Sequence, residues 1–312
     1  MLLTIVRRLL IGVVVVWGAS LVVFLVLHVL PGDPVSAILK GAPATPEAIA
    51  SIRRELGLDL PIGTQYWNFI TDLFRGDLGN SYITGRPVTV MLAEAISSTL
   101  ILTFSSLLIG IVLGCTLGLI SALWPETIAD NIIRGFTALF SAMPVFWTGV
   151  VLLVVFSFGL HLFPSIGGDG LQGLVLPAFS LGLASAGVLA RVARTALLEV
   201  RDEPFHVMLR AKGMPRWRIV GLHSSRSAIL PVLAMAGLQL GEALAGAVIT
   251  ETVFSRVGVG RVLVSGILNK DYPVVQGVML CIAAGMVIVN LTVDVSQAAI
   301  DPRIRSGRLV NA

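Results

Sequence analysis

Six apolar stretches, each almost free of charge, recur along this chain: Leu9–Leu30, Ser97–Leu123, Ile132–Leu160, Leu174–Ala190, Ala228–Ile249 and Val274–Ala298. About 20 such residues are what an α-helix needs to cross the hydrocarbon core of a bilayer, where every backbone N–H and C=O must be satisfied within the segment. The pattern predicts an all-α, polytopic membrane protein with six transmembrane helices. Composition agrees, because only 13% of the 312 residues are charged, about half the ~25% of a soluble protein. So few charges cannot cover the surface of a soluble enzyme, and the composition equally excludes a disordered chain, a collagen or a coiled coil. Arg7 and Arg8 precede the first stretch as they would in a signal peptide. That stretch is too long for a signal core and five more follow, so an uncleaved helix is expected. Cys115 and Cys281 both lie in apolar runs and are expected to be small buried hydrophobes.

Orientation follows from where Lys and Arg fall between the spans. With a cytoplasmic N-terminus, 14 of the 22 basic residues lie inside, eight of them between Arg191 and Arg226. The segment between Leu160 and Leu174 has none. Both termini are therefore expected in the cytoplasm, which places Asn311 inside and Asp169 outside. Three regions result: residues 1–30 with the first helix, a long extracytoplasmic loop over 31–96, and a core of five helices over 97–312.

The long loop carries structure of its own. Thr45-Pro46-Glu47 has a capping hydroxyl, a proline suited to the first helical position and an early acid, and Gly57 is placed to close that helix. Gln65 to Leu73 predicts a second, amphipathic helix with Tyr66, Trp67 and Phe69, and Phe74 follows it. Two uses stand open for these aromatics: a belt on the outer leaflet, or a docking surface for an external partner.

Catalytic and metal-binding patterns are missing where they would be expected. Lys40, Lys212 and Lys270 are preceded by Leu39, Ala211 and Asn269, so no glycine-lysine phosphate loop exists. His28, His161, His206 and His223 have no metal-ligand spacing. Ser185 lies among small residues without the spacing of a serine nucleophile, which predicts helix packing instead. Gly258-Val259-Gly260 lacks a third glycine and is expected to be a turn. The chain is read as non-catalytic, with no cofactor or metal of its own and no nucleic-acid partner.

The fourth connection, about 199–226, is the most informative. Pro204 after Asp202 and Glu203 predicts a helix start, and Phe205, Met208 and Leu209 then share one face at i, i+3 and i+4. Gly213 suits a left-handed helix end and Pro215 a restart, so two short helices should meet at Gly213-Met214-Pro215 among Arg210, Lys212, Arg216 and Arg218. One reading is a hairpin lying on anionic headgroups; the other is a lever inserted into a cytoplasmic partner.

Arg210-Ala211-Lys212-Gly213, followed by His223-Ser224-Ser225-Arg226-Ser227-Ala228-Ile229-Leu230-Pro231, resembles the signature loop of the ABC importer permeases that move dipeptides, oligopeptides and nickel. Pro31-Gly32-Asp33-Pro34, Asp77-Leu78-Gly79 with Ser81, Glu251 before Val253-Phe254, Asp271-Tyr272-Pro273 and Asp301-Pro302-Arg303-Ile304-Arg305 resemble the same family, in order along the chain. The resemblance implies a prokaryotic inner-membrane subunit paired with a homologous second permease, two ABC ATPase subunits that carry the ATP and Mg, and an extracytoplasmic substrate-binding protein. It implies that Phe205, Met208, Arg210, Ala211, Lys212, Gly213, Met214 and Pro215 couple the channel to an ATPase. The cargo expected from it is a short peptide or a nickel or other metal chelate.

Ionisable and small residues inside spans mark a path or a subunit interface, because charge in lipid is costly. Glu242, Gly246, Glu251 and Asp294 are the candidates. Pro144 and Pro177 should kink the third and fourth spans. The alternative, a self-contained secondary transporter or channel, would show an internal repeat and midplane ion ligands, and no repeat is apparent.

Overall fold

The computed structural model describes residues 2–29, 32–39, 45–165, 167 and 170–300. Pro31, Asp169, the closing motif over 301–305 and Asn311 lie outside them. Among the described residues, helices joined by turns and short irregular segments make up the chain, with one isolated bridge between Asn80 and Pro87. In order, the helices are α1 (Leu2–Val29), α2 (Pro34–Leu39), α3 (Pro46–Glu55), α4 (Ile62–Phe74), α5 (Val88–Leu123), α6 (Ile128–Ala142), α7 (Val145–Leu152), α8 (Gln172–Glu199), α9 (Pro204–Ala211), α10 (Arg216–Arg218), α11 (Ser225–Val253), α12 (Val259–Leu268) and α13 (Tyr272–Ile300). Wider π-type turns follow α7 over Leu153–Gly159 and precede α11 over Ile219–Ser224.

Five helices are long and apolar enough to cross a membrane, and the count reaches six if α6 and α7 form one span. The expectation of a kinked third span needs correction. α6 and α7 meet at 107°, a break rather than a kink. Its cause is Met143-Pro144: Met143 is extended (φ −76°, ψ 129°), as the residue before a proline must be, and Pro144 has no N–H to continue the ladder. Pro177, by contrast, is accommodated inside an unbroken α8.

The chain forms two compact units. The first contains residues 100–256 and 288–300, with α8 as its most enclosed helix. Leu102, Ala178, Leu181 and Ala247 bury one core contact of α5, α8 and α11; Ala122, Ala196, Leu197, Val220 and Ala228 bury another. α5 and α8 approach closely along Gly110, Gly114 and Gly118. A Cβ at Gly114 would lie 2.9 Å from the Ala186 carbonyl, and one at Gly118 would lie 2.7 Å from that of Ala190. Ser185 faces Gly110 in this stripe, in agreement with the packing role expected of it.

The second unit contains residues 6–99 and 257–287. Thr45 caps α3 by accepting from the Ala48 N–H, Pro46 occupies the first turn, and Gly57 ends the helix at φ +65°. Both features match the sequence expectation. α4 begins at Ile62, three residues ahead of the expected Gln65. Its Tyr66 and Phe69 rings pack on Phe24 of α1, while Trp67 and Phe74 stay exposed. Only the latter two remain available to lipid or a partner. Gly258 is not in a turn: it precedes α12, an unexpected helix whose Val259 N–H donates to the Thr99 hydroxyl at 2.9 Å.

In this unit the structure unites two motifs that are far apart in sequence. Ser81 is 3% exposed and donates to the Asp271 carboxylate at 2.5 Å, across 190 residues of chain. The Tyr82 N–H donates to the other Asp271 oxygen at 3.0 Å. Asp33, of the first motif, instead pairs with Arg53 at 2.7 Å.

Candidate functional site

The connection after α8 folds as its punctuation predicts. α8 ends at Glu199, Glu203 is extended (ψ 145°), and Pro204 opens α9. The helix closes on Gly213 at φ +72°, where the Gly213 N–H donates to Arg210 O and the Met214 N–H reaches back to Leu209 O at 3.2 Å. These two bonds form a Schellman cap, which satisfies carbonyls the helix end would otherwise leave open. A Cβ at Gly213 would meet nothing within 4 Å, so the position demands glycine for its backbone angle and not for space. Pro215 then caps α10, and the π turn leads into α11.

The expected apolar face divides in two. Phe205 and Leu209 are partly buried, but Met208 is 52% exposed and Val207 60%. The buried anchor between them is His206, 1% exposed, which shares a hydrogen bond with the equally enclosed Ser224 just before α11. No metal-ligand spacing or cap pattern marks His206 in the sequence, yet it pins the short helix to the base of a long one. Arg210, Ala211, Lys212, Pro215, Arg216 and Arg218 are exposed, and Met214 is partly so. Desolvation first, and then the charges of Arg201 and Arg210, lower the pKa of Arg216. The loop thus presents apolar knobs ringed by guanidinium groups.

The candidates in the spans are not brought together as one group. Glu242 is exposed on α11 and accepts from the amide of buried Gln239 at 2.9 Å. A carboxylate on the outside of an apolar helix is costly in lipid, so this face needs a polar cavity or another chain. Gly246 packs on Leu181 of α8. Glu251, near the end of α11, is fully buried, unlike the exposed Glu242. Asp294 is partly buried on α13.

A second polar cluster lies where α5, α6 and α8 meet. Asp130, 0% exposed, accepts from Arg194 at 3.0 and 2.8 Å and from the Glu126 N–H at 2.9 Å, and Ser121 donates to it as well. Thr127 caps α6 by accepting from the Asp130 N–H, so Thr127-Ile128-Ala129-Asp130 is a capping pattern legible in sequence. Its salt bridge to α8 is not legible there.

The fold defines a polytopic membrane protein, and comparison supplies its family. Residues 110–306 match the family described as "Binding-protein-dependent transport system inner membrane component", and residues 1–103 match its N-terminal counterpart. The chain is 37% identical over 286 residues to the "Glutathione transport system permease protein GsiC" of Salmonella choleraesuis (strain SC-B67), covering 92% of this chain and 93% of that one. The protein of the same name in Escherichia coli (strain K12) is 37% identical over 305 residues, covering 98% and 99%. An inward-facing crystal form of the MetNI methionine ABC transporter shares the fold, with a TM-score of 0.58 at 20% identity over 68% of this chain and 96% of that chain. The chain belongs to this family: it is a multi-pass inner-membrane permease component of binding-protein-dependent ABC importers, of the peptide, oligopeptide and nickel type.

Proposed function

We propose that this chain is one half of an ATP-driven import channel for short peptides, with a glutathione-like tripeptide as its first candidate cargo. The observation that carries the coupling part is the Schellman-capped bend at Gly213, pinned through His206 to Ser224. A rigid short helix tied to the root of a spanning helix can convert a push from a partner into movement of that span. Its exposed Val207 and Met208, ringed by basic residues, fit a groove with an apolar floor and an acidic rim on an ATPase subunit.

ATP binding by two such subunits would draw the paired loops together, and a loaded external binding protein would favour the opposite opening of the channel. Each ligand shifts the equilibrium only by its differential affinity for the two states. With both termini cytoplasmic, the loop faces the ATPases and the Ser81–Asp271 clasp faces the binding protein. This chain itself would make or break no bond. The self-contained transporter loses ground to family membership, and the cargo named for the relatives is a peptide rather than a metal chelate.

The test is reconstitution of the transporter purified through a tag on this chain, with its binding protein and ATP inside or outside the vesicle. Glutathione uptake that requires both, with an ATPase subunit co-purifying at parity with the permeases, is the expected result. Uptake independent of ATP, or a preparation lacking any ATPase subunit, would overturn the proposal.

A further inference from the structure

Beside the Asp130–Arg194 pair, α5, α6 and α8 border a half-open cavity of about 570 Å³, of a size that takes a small organic ligand and lined in good part by exposed residues. Asn131, Arg134, Thr137, Arg191, Arg194 and Thr195 supply its polar lining. These groups are rich in hydrogen-bond donors, and their charge is one-sided. Asp130 neutralises Arg194. Arg191 donates only to the neutral Ser141 hydroxyl at 3.0 Å, and neither it nor Arg134 forms an ion pair among the described residues. Two exposed guanidinium charges on different helices therefore border one cavity, and neither is paired with a carboxylate among the described residues.

The rest of the wall keeps the space open. Gly135 also lines the cavity, and a Cβ there would meet nothing within 4 Å. The salt bridge beside it is fixed by a fully buried carboxylate with several donors, so Arg194 and Ser121 form a rigid side against which a ligand can settle. Guanidinium groups match carboxylates in shape and charge, and two of them on different helices suit a ligand bearing two separated carboxylates better than a single phosphate.

We propose that this cavity receives the carboxylates of the cargo as it crosses the chain, making anionic short peptides its preferred substrates. The proposal deepens the importer reading and rests on it for the word cargo. The binding site itself stands on the cavity and its unpaired charge.

The experiment places a cysteine at the open position, Gly135→Cys, in the full transporter with Cys115→Ala and Cys281→Ala. Anionic and cationic thiosulfonate reagents of similar size are compared. The anionic-to-cationic rate ratio should fall about tenfold when Arg134→Gln and Arg191→Gln are added. S-methylglutathione should slow labelling, and its bis-amide should not. An unchanged ratio, or equal protection by peptide and amide, would overturn the proposal. Repeating the labelling in phosphatidylcholine vesicles with and without phosphatidylglycerol separates the sources of anion. Protection that follows the anionic lipid and ignores the peptide would assign the cavity to headgroups and overturn it as a cargo site. A transporter that takes up no peptide with ATP and binding protein, yet keeps peptide protection at Gly135→Cys, would support the site while refuting the importer reading.

Discussion

Gly213 holds a positive backbone angle in open space, so substitutions there separate conformation from bulk. Gly213→Val forces a β-branched residue into the left-handed region at a cost of about 1–3 kcal/mol and should abolish stimulation of ATP hydrolysis by the loaded binding protein. Gly213→Asn, which tolerates that region, should retain most of it. Replacing Arg216 and Arg218 with glutamine should be mild, because exposed charges at the rim of a contact contribute little, at about 0–1 kcal/mol each, beside the bend that shapes it. A coupled valine variant beside an uncoupled arginine pair would identify the loop as a membrane anchor. Tyr82 offers a pH test outside the spans. Burial, then the Asp271 charge and Tyr272, push its pKa from 10.0 up to about 12. The fold thus favours the neutral phenol: its contribution to stability is complete below pH 10 and is lost as the pH rises through about 12. Phenolate absorbance should show a late-titrating group that disappears in Tyr82→Phe. If the absorbance lost in Tyr82→Phe titrates near pH 10, the pocket around Tyr82 is open to water.

At the scale of helices, the α5–α8 crossing should be the least forgiving contact in its unit. Gly114→Leu would drive a side chain against the Ala186 carbonyl and Leu189, and neither a backbone oxygen nor a packed leucine stem can yield freely. Overpacking of this kind costs about 1–3 kcal/mol, so the thermal midpoint of the solubilised protein should fall, while Gly135→Leu, facing open space, should leave it unchanged. Equal effects would mean that the stripe is not a tight contact. Helix starts and stops were legible in sequence wherever their chemistry is local: Thr45, Pro46 and Gly57 at α3, and Pro204, Gly213 and Pro215 around α9. The 107° break was not, since a proline announces a lost hydrogen bond but its neighbours decide the angle. α12 escaped because ten residues of apolar helix fall short of a span and Gly258-Val259-Gly260 looks like a turn. The candidate site divides along the same line. The bend is local, whereas the pairings His206–Ser224 and Asp130–Arg194 span 18 and 64 residues and need the tertiary fold to bring them together.

For the whole molecule, charge placement makes a global prediction. A reporter after Asn311 should be active only in the cytoplasm and one near Asp169 only outside, because the segment around Asp169 lacks any Lys or Arg. Both on one side would refute an arrangement of six crossings. The Ser81–Asp271 clasp also has a bearing on biogenesis. One partner leaves the ribosome 190 residues before the other. At about 5–20 residues per second, the early segment waits on the order of 10–40 s for its mate. Residues 100–256 form an uninterrupted part of the first unit and can consolidate in the meantime. The order of synthesis is therefore not the order of completion: the segment around Ser81 is among the last parts to be locked, and a chain truncated before Asp271 would leave Ser81 and the Tyr82 N–H without their acceptor, exposed to the proteases that survey unfinished membrane proteins.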